Sequence, residues 1–173
     1  MITVVDNREK ALSLGADGFH SKPVDRIWLL KRLETIAVSP SKPRILVIDD
    51  DAASRYLVRN VLASSECELI EASGGAEGLR LAHDCKPALV VLDLAMEGMN
   101  GFEVLEAIRR DAKTNSVPVV VHTSRSLGDE DYERLRTAID IIPKSIMSSR
   151  DLAASRFSQA LQKAGVMDVV RAS

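Results

Sequence analysis

Five polar side chains stand at or just after the ends of short apolar runs in this sequence: Asp49, Asp50, Asp93, Thr123 and Lys144. Such runs are typical of strands that are buried on both faces of a parallel sheet. The carboxyl ends of parallel strands meet at one edge of the sheet, where ligands bind in open α/β folds. We therefore expect these five side chains to lie close together and to serve chemistry rather than packing.

The types of these side chains indicate phosphoryl chemistry. Three carboxylates held close together repel one another, so they must either take up protons or bind a cation. Mg2+ prefers oxygen ligands and typically uses one or two carboxylates together with phosphate oxygens. Asp93 can then attack phosphorus and form an aspartyl phosphate. Mg2+, Lys144 and the Thr123 hydroxyl would neutralise and position the phosphoryl oxygens.

The elements that must position these residues alternate regularly from Arg44 onward. The predicted strands are Ile45–Ile48, Glu68–Ala72, Ala88–Leu92, Val117–His122 and Ile139–Ile142. Helically spaced apolar residues after each strand predict five helices, with stripes within Leu57–Leu62, Ala76–His83, Val104–Ile108, Tyr132–Ala138 and Ala153–Leu161. Right-handed crossovers then give a three-layer α/β sandwich with a five-stranded parallel sheet in the flavodoxin-like order 2-1-3-4-5.

Composition excludes several other classes of protein. The 173 residues carry a net charge of -2, so bulk electrostatics favour neither nucleic acid nor a membrane surface as a partner. No apolar run approaches the roughly 18 residues of a membrane span, and no signal peptide opens the sequence. Cys67 and Cys85 lack the spacing of a metal or redox motif, which favours a reducing, cytoplasmic compartment.

Residues 1–38 repeat part of the later pattern. They contain two predicted strands, Ile2–Val5 and Gly18–His20, and two predicted helices. Thr3 and Lys22 bracket a strand–helix–strand layout like that between the later threonine and lysine. We predict a truncated C-terminal part of a second domain over residues 1–38, a linker over 39–43, a complete domain over 44–166 and a tail over 167–173.

Simpler interpretations exist for each residue taken alone. An acidic triplet after a strand often caps the next helix, and an aspartate before a glycine loop can be a turn residue. The histidines His20, His83 and His122 are scattered, and we interpret them as surface or strand residues. The ordered set of polar groups at four strand ends favours a site over these alternatives.

Four motifs resemble, in order, the receiver domain of two-component response regulators: ILVIDDD (45–51), VVLDLAMEGMNGFEVL (90–105), VVVHTS (119–124) and IIPK (141–144). The resemblance implies that Asp93 accepts a phosphoryl group from a histidine kinase or a histidine phosphotransfer domain. It also implies that the chain catalyses only its own phosphorylation and dephosphorylation. The segment ADGFHSKPVDR (16–26) resembles the end of another receiver domain.

The same match implies a role for each site residue. Asp50 and Asp93 would bind Mg2+ directly, together with the backbone carbonyl of Ala95, and Asp49 would act through water. Thr123 would hydrogen-bond the phosphoryl group, and Lys144 would pair with it.

Three positions depart from the family pattern. Glu97 stands where a proline is usual, and Ser145 replaces the proline that usually follows the lysine. Ile141 takes the place of the aromatic residue that usually reports phosphorylation. The usual aromatic readout is therefore absent from the complete domain.

Two classes of function remain open at this stage. The first is a phosphoryl-accepting signalling module. The second is a degenerate receiver that serves as a non-switching docking or dimerisation module of a hybrid histidine kinase. In either class we expect residues 1–38 to pack on the complete domain or on a second chain, as a homodimer contact. A magnesium-dependent hydrolase with an aspartyl nucleophile is a third, more distant class, because Ala95 stands where such enzymes carry a general acid.

Overall fold

The computed structural model describes Ile2–Thr3, His20–Ser21 and residues 42–166, and five parallel strands form a sheet within the last of these ranges. The strands are β1 (Arg44–Ile48), β2 (Glu68–Ala72), β3 (Leu89–Leu92), β4 (Val119–Thr123) and β5 (Asp140–Pro143). Their spatial order is β2-β1-β3-β4-β5, which confirms the flavodoxin-like topology.

Five α-helices connect and follow these strands within residues 42–166. They are α1 (Ala52–Leu62), α2 (Gly75–Cys85), α3 (Gly101–Arg110), α4 (Asp129–Arg134) and α5 (Arg150–Lys163), and a 3-10 helix (Lys144–Ser148) precedes α5. Asp51 caps α1, and Asn100 forms a capping box with Glu103 at the start of α3. None of the helices in the described part of the chain is long and apolar enough to cross a membrane.

The prediction that one helical stripe runs from Tyr132 to Ala138 is wrong. Helix α4 ends at Arg134, and Leu135 at its C-terminal end turns into the core. The Ala138 N–H donates to the Leu135 carbonyl in a turn that leads directly to β5. None of the six residues of α4, all within the described range, is buried, so packing does not extend the helix.

Both the beginning and the end of β4 differ from the predicted strand Val117–His122. The strand begins at Val119 rather than Val117, because the Val117 N–H donates to Thr114 in a turn and Pro118 has no N–H to give. It ends at Thr123, one residue later than predicted.

Two apolar clusters cover the two faces of the sheet. Alternate residues of β1, Leu46 and Ile48, belong to the cluster that contains side chains of α2 and α3. The intervening residues Ile45 and Val47 belong to the cluster that contains side chains of α1 and α5. Burial on both faces explains the near-continuous apolar strands of the sequence.

A second, smaller unit spans residues 1–41, and residues 42–173 form the other. In the smaller unit, Ile2–Thr3 pairs in parallel with His20–Ser21, and Thr3 lies opposite Ser21, the residue before Lys22. In the larger sheet, Thr123 lies opposite Pro143, the residue before Lys144. The rest of residues 1–38, most of the predicted linker at 39–43 and the predicted tail at 167–173 lie outside the described residues.

His122 is a buried polar residue in the strand β4, as the sequence interpretation allowed. Its ring packs edge-on against Phe157 of α5, with 5.5 Å between ring centroids. Its Nε2 atom has no hydrogen-bond partner among the described residues. Burial, helped by the charge of Lys144 and opposed by that of Asp93, lowers the pKa of His122 from 6.5 to about 4.

We expect His122 to make the fold sensitive to acid. Because its pKa in the folded state lies below 6.5, the neutral ring supports folding fully above pH 6.5. This contribution is lost as the pH falls from 6.5 to about 4. Between these pH values the chain should lose about 3 kcal/mol more unfolding free energy than a His122→Leu variant, measured by urea unfolding. The exposed His83 is the control, and an equal acid loss in His83→Leu and His122→Leu would contradict the expectation.

Gly101 permits the chain to pass close to the backbone that carries Asp93. A Cβ at residue 101 would lie 2.1 Å from the Asp93 carbonyl oxygen and 2.7 Å from the Leu94 Cα. Real Cβ atoms do not approach backbone atoms so closely, so a larger residue must push the loop away from the end of β3.

We therefore expect Gly101→Ala to lower the free energy of unfolding by about 1–3 kcal/mol, the usual cost of overpacking. Gly128→Ala is the control for steric crowding, because a Cβ there would meet no atom within 4 Å, and it should lose only the small preference for glycine over alanine at the N-cap of α4. Urea unfolding of the two variants measures the difference. Equal stability of the two variants would show that the loop relaxes freely around residue 101.

Candidate functional site

The strand register brings the predicted site residues to one edge of the sheet. Ile48 of β1 pairs with Leu92 of β3, so Asp49 and Asp93 follow neighbouring residues. The Asp93 N–H donates to the Ile48 carbonyl at 2.9 Å and holds the two strand ends together. On the other side, Lys144 follows the pairing of Thr123 with Pro143.

Three carboxylates meet at this edge, as predicted. One oxygen from each of Asp49, Asp50 and Asp93 lies within 4.8 Å of the others. Asp49 and Asp93 are buried, with 2% and 3% of their surfaces exposed, whereas Asp50 is exposed. A cluster of carboxylate oxygens open to solvent on one side fits a hard cation such as Mg2+, which retains several waters.

Lys144 bridges the two buried carboxylates. Its Nζ atom lies 2.6 Å from Asp93 Oδ2 and 2.8 Å from Asp49 Oδ2. Burial alone would lower the pKa of Lys144, but the hydrogen bonds that its ammonium donates to Asp49 and Asp93 outweigh this effect and raise the pKa. The ammonium charge is therefore maintained beside Asp93.

The second oxygen of Asp93 is held by the backbone. Asp93 Oδ1 accepts hydrogen bonds from the N–H of Leu94 at 2.7 Å and from the N–H of Ala95 at 3.3 Å. These bonds and the Lys144 contact fix the orientation of the carboxylate. The carbonyl of Ala95 as a metal ligand stays a prediction.

Thr123 is buried at the end of β4, on the same edge. Its Oγ1 accepts a hydrogen bond from the backbone N–H of Arg125 at 3.2 Å. A hydroxyl that accepts one bond still has its proton to donate, which suits the predicted contact with a phosphoryl oxygen.

The three consecutive aspartates at residues 49–51 have two different roles, because one caps the helix α1 and two belong to the carboxylate cluster. Asp51 caps α1, with its carboxylate accepting from the N–H groups of Ala53 at 3.0 Å and Ser54 at 3.3 Å. Asp49 and Asp50 face the site. The simpler interpretation, that the acidic triplet caps the helix after the strand, is thus right for Asp51 and wrong for Asp49 and Asp50.

Sequence reasoning missed several contacts to the carboxylates, among them one from the helix α1 and one from the loop after β3. The Ser54 hydroxyl, in the first turn of α1, donates to Asp49 Oδ2 at 2.5 Å. The backbone N–H of Glu97 donates to Asp50 Oδ2 at 3.0 Å. The second contact could have been predicted from the sequence, because Glu97 replaces the usual proline and, unlike proline, has a backbone N–H to donate.

Comparison with known proteins agrees with this geometry. The family model for the response regulator receiver domain matches residues 45–156, more than half of the chain. The chain is 30% identical over 104 residues to Protein PilH of Pseudomonas aeruginosa, covering 60% of this chain and 86% of that protein. It is 31% identical over 119 residues to Sensor protein GacS of Pseudomonas syringae, covering 67% of this chain but only 13% of that protein.

A solved structure supports the same assignment. The N-terminal domain of the response regulator receiver protein from Methanoculleus marisnigri is 33% identical, with a TM-score of 0.56. The match covers 60% of this chain and 85% of that one. With its sheet order, its carboxylate cluster and this family match, the chain belongs to the response regulator receiver family of two-component signalling.

Proposed function

We propose that the chain accepts a phosphoryl group on Asp93 from a phosphohistidine, in a reaction that requires Mg2+. The carrying observation is the environment of Asp93, a buried carboxylate with an ammonium group 2.6 Å away and two further carboxylates within 4.8 Å. The phosphohistidine would belong to a histidine kinase or a histidine phosphotransfer domain. Sensor protein GacS and Histidine kinase P4, which resemble the chain over part of their lengths, support this class of partner.

The reaction is a displacement at phosphorus. An oxygen of Asp93 forms a bond to phosphorus while the phosphorus–nitrogen bond of the phosphohistidine breaks, and the leaving imidazole keeps the electron pair. Lys144 places positive charge beside the phosphoryl group, and Thr123 donates its hydroxyl proton to a phosphoryl oxygen. Held by Asp49, Asp50 and Asp93, Mg2+ would neutralise further negative charge on the phosphoryl oxygens.

Charge balance at the site supports the requirement for a divalent cation. With their side chains ionised, the three carboxylates and Lys144 leave a formal charge of -2. A phosphoryl group adds further negative charge. Lys144 alone cannot offset both the charge of the carboxylates and the charge of the phosphoryl group. A divalent cation can offset the formal charge that remains at the site itself.

A labelling experiment tests the proposal. The full chain, incubated with Mg2+ and acetyl phosphate, should gain the mass of one phosphoryl group, measured on the intact protein. Asp93→Asn should gain none, because the amide cannot act as the nucleophile. A chelator in place of Mg2+ should also abolish the gain.

Asp51→Asn is the matched control for this experiment. Asp51 differs from its two acidic neighbours because it caps α1, and asparagine caps a helix about as well as aspartate. This variant should therefore gain mass like the original chain. An undiminished mass gain in Asp93→Asn would reject Asp93 as the acceptor.

The docking module remains the second candidate function. The favouring observation is Ile141, which is partly buried against the cluster next to α2 and α3 and has no aromatic ring to report phosphorylation. A chain that gains no mass in the experiment above would fit this candidate.

The matching register of Thr3 with Ser21 and Thr123 with Pro143 supports a receiver remnant over residues 1–38. Homodimerisation through that segment stays a prediction.

A further inference from the structure

Arg125 connects the phosphoryl site to two helices. It lies two residues after Thr123, and its backbone N–H donates to the Thr123 hydroxyl at 3.2 Å. Its guanidinium Nη2 donates to Asp131 Oδ1 at 3.2 Å, in the first turn of α4. The same guanidinium lies 5.2 Å from the centroid of the Phe102 ring, in the first turn of α3. One side chain thus contacts the beginnings of both helices beside the site.

The bond between Arg125 and Asp131 is easily exchanged. Half of the Arg125 side chain is exposed, whereas only 16% of the Asp131 side chain is, so water screens the pair from the side of the guanidinium and keeps its contribution to stability small. Asp131 also accepts from the Gly128 N–H, so it keeps a partner when the guanidinium leaves. Asp131 therefore does not require Arg125 to remain satisfied.

A phosphoryl group on Asp93 would compete with Asp131 for this guanidinium. The Arg125 backbone N atom lies within about 6 Å of any oxygen that hydrogen-bonds the Thr123 hydroxyl, a span that an arginine side chain covers. A phosphoryl group carries more charge than a carboxylate, and arginine matches its oxygens in a bidentate arrangement.

We propose that Arg125 is the group that reports phosphorylation in this chain: it leaves Asp131 for the phosphoryl oxygens and so loosens the first turn of α4. This inference rests on the proposed function, because it requires a phosphoryl group on Asp93. The mechanism needs no aromatic residue at position 141. Helix α4 suits such a response because none of its six residues is buried, so few packing contacts resist its motion.

Amide hydrogen exchange of the full chain tests the proposal, with acetyl phosphate and Mg2+ as the phosphorylating mixture. Phosphorylation should raise exchange about two- to fivefold in the peptide that covers residues 126–134, the change expected when one exposed ion pair is lost. In Arg125→Gln, exchange in this peptide should already be raised before phosphorylation and should not change further.

Arg134→Gln is the matched control. Arg134 stacks on the same Phe102 ring at 4.3 Å, but it hydrogen-bonds Glu106 and does not contact Thr123. This variant should keep the phosphorylation-dependent rise. The proposal is overturned if Arg125→Gln still shows the full phosphorylation-dependent rise in exchange. It is also overturned if Arg134→Gln loses that rise while Arg125→Gln keeps it.

The intact mass of each sample separates this inference from the proposed function. If the chain gains no phosphoryl mass, the proposed function fails and the inference fails with it. If Arg125→Gln gains the mass of a phosphoryl group and still shows the full exchange response, only the inference fails.

Discussion

The lysine that bridges two buried carboxylates is the interaction on which the rest of the site depends. Asp49 and Asp93 are almost completely buried, and two bare carboxylates in such a place would repel each other and lose their hydration. The ammonium of Lys144 is within hydrogen-bonding distance of both. It offsets the repulsion between the two carboxylates and so allows them to lie close together, as the proposed nucleophile and metal ligand must.

This bridge can form only if three strands end in register. Asp49 follows β1, Asp93 follows the neighbouring β3, and Lys144 follows β5, two strands further along the sheet. Since the strands are buried on both faces, a slip of one residue would turn polar side chains into the core. The apolar strands therefore do more than stabilise the domain, because they fix where the charged groups meet.

Most of this arrangement could be predicted from side-chain types alone. Short apolar runs that end in polar residues identify the strands and their common edge, and alternation with amphipathic stripes identifies the topology. The hydrogen bond from the Glu97 N–H to Asp50 and the Arg125 contacts were not predicted, because they depend on backbone atoms and on loop paths. The early end of α4 was missed because Leu135 has helical spacing but turns into the core instead of continuing the helix.

The two sides of the site differ in how firmly they are held, and this difference bears on signalling. On the side of Asp49 and Asp93, buried hydrogen bonds and Lys144 leave little freedom. On the side of Arg125, half of the arginine side chain is exposed and the adjacent helix α4 has no buried residue. A charge added at Asp93 changes the electrostatic balance for both sides, but only the second can rearrange at low cost. If Asp93 accepts a phosphoryl group as proposed, the distribution of burial around the site favours a response on the side of Arg125, whether or not an aromatic residue is present.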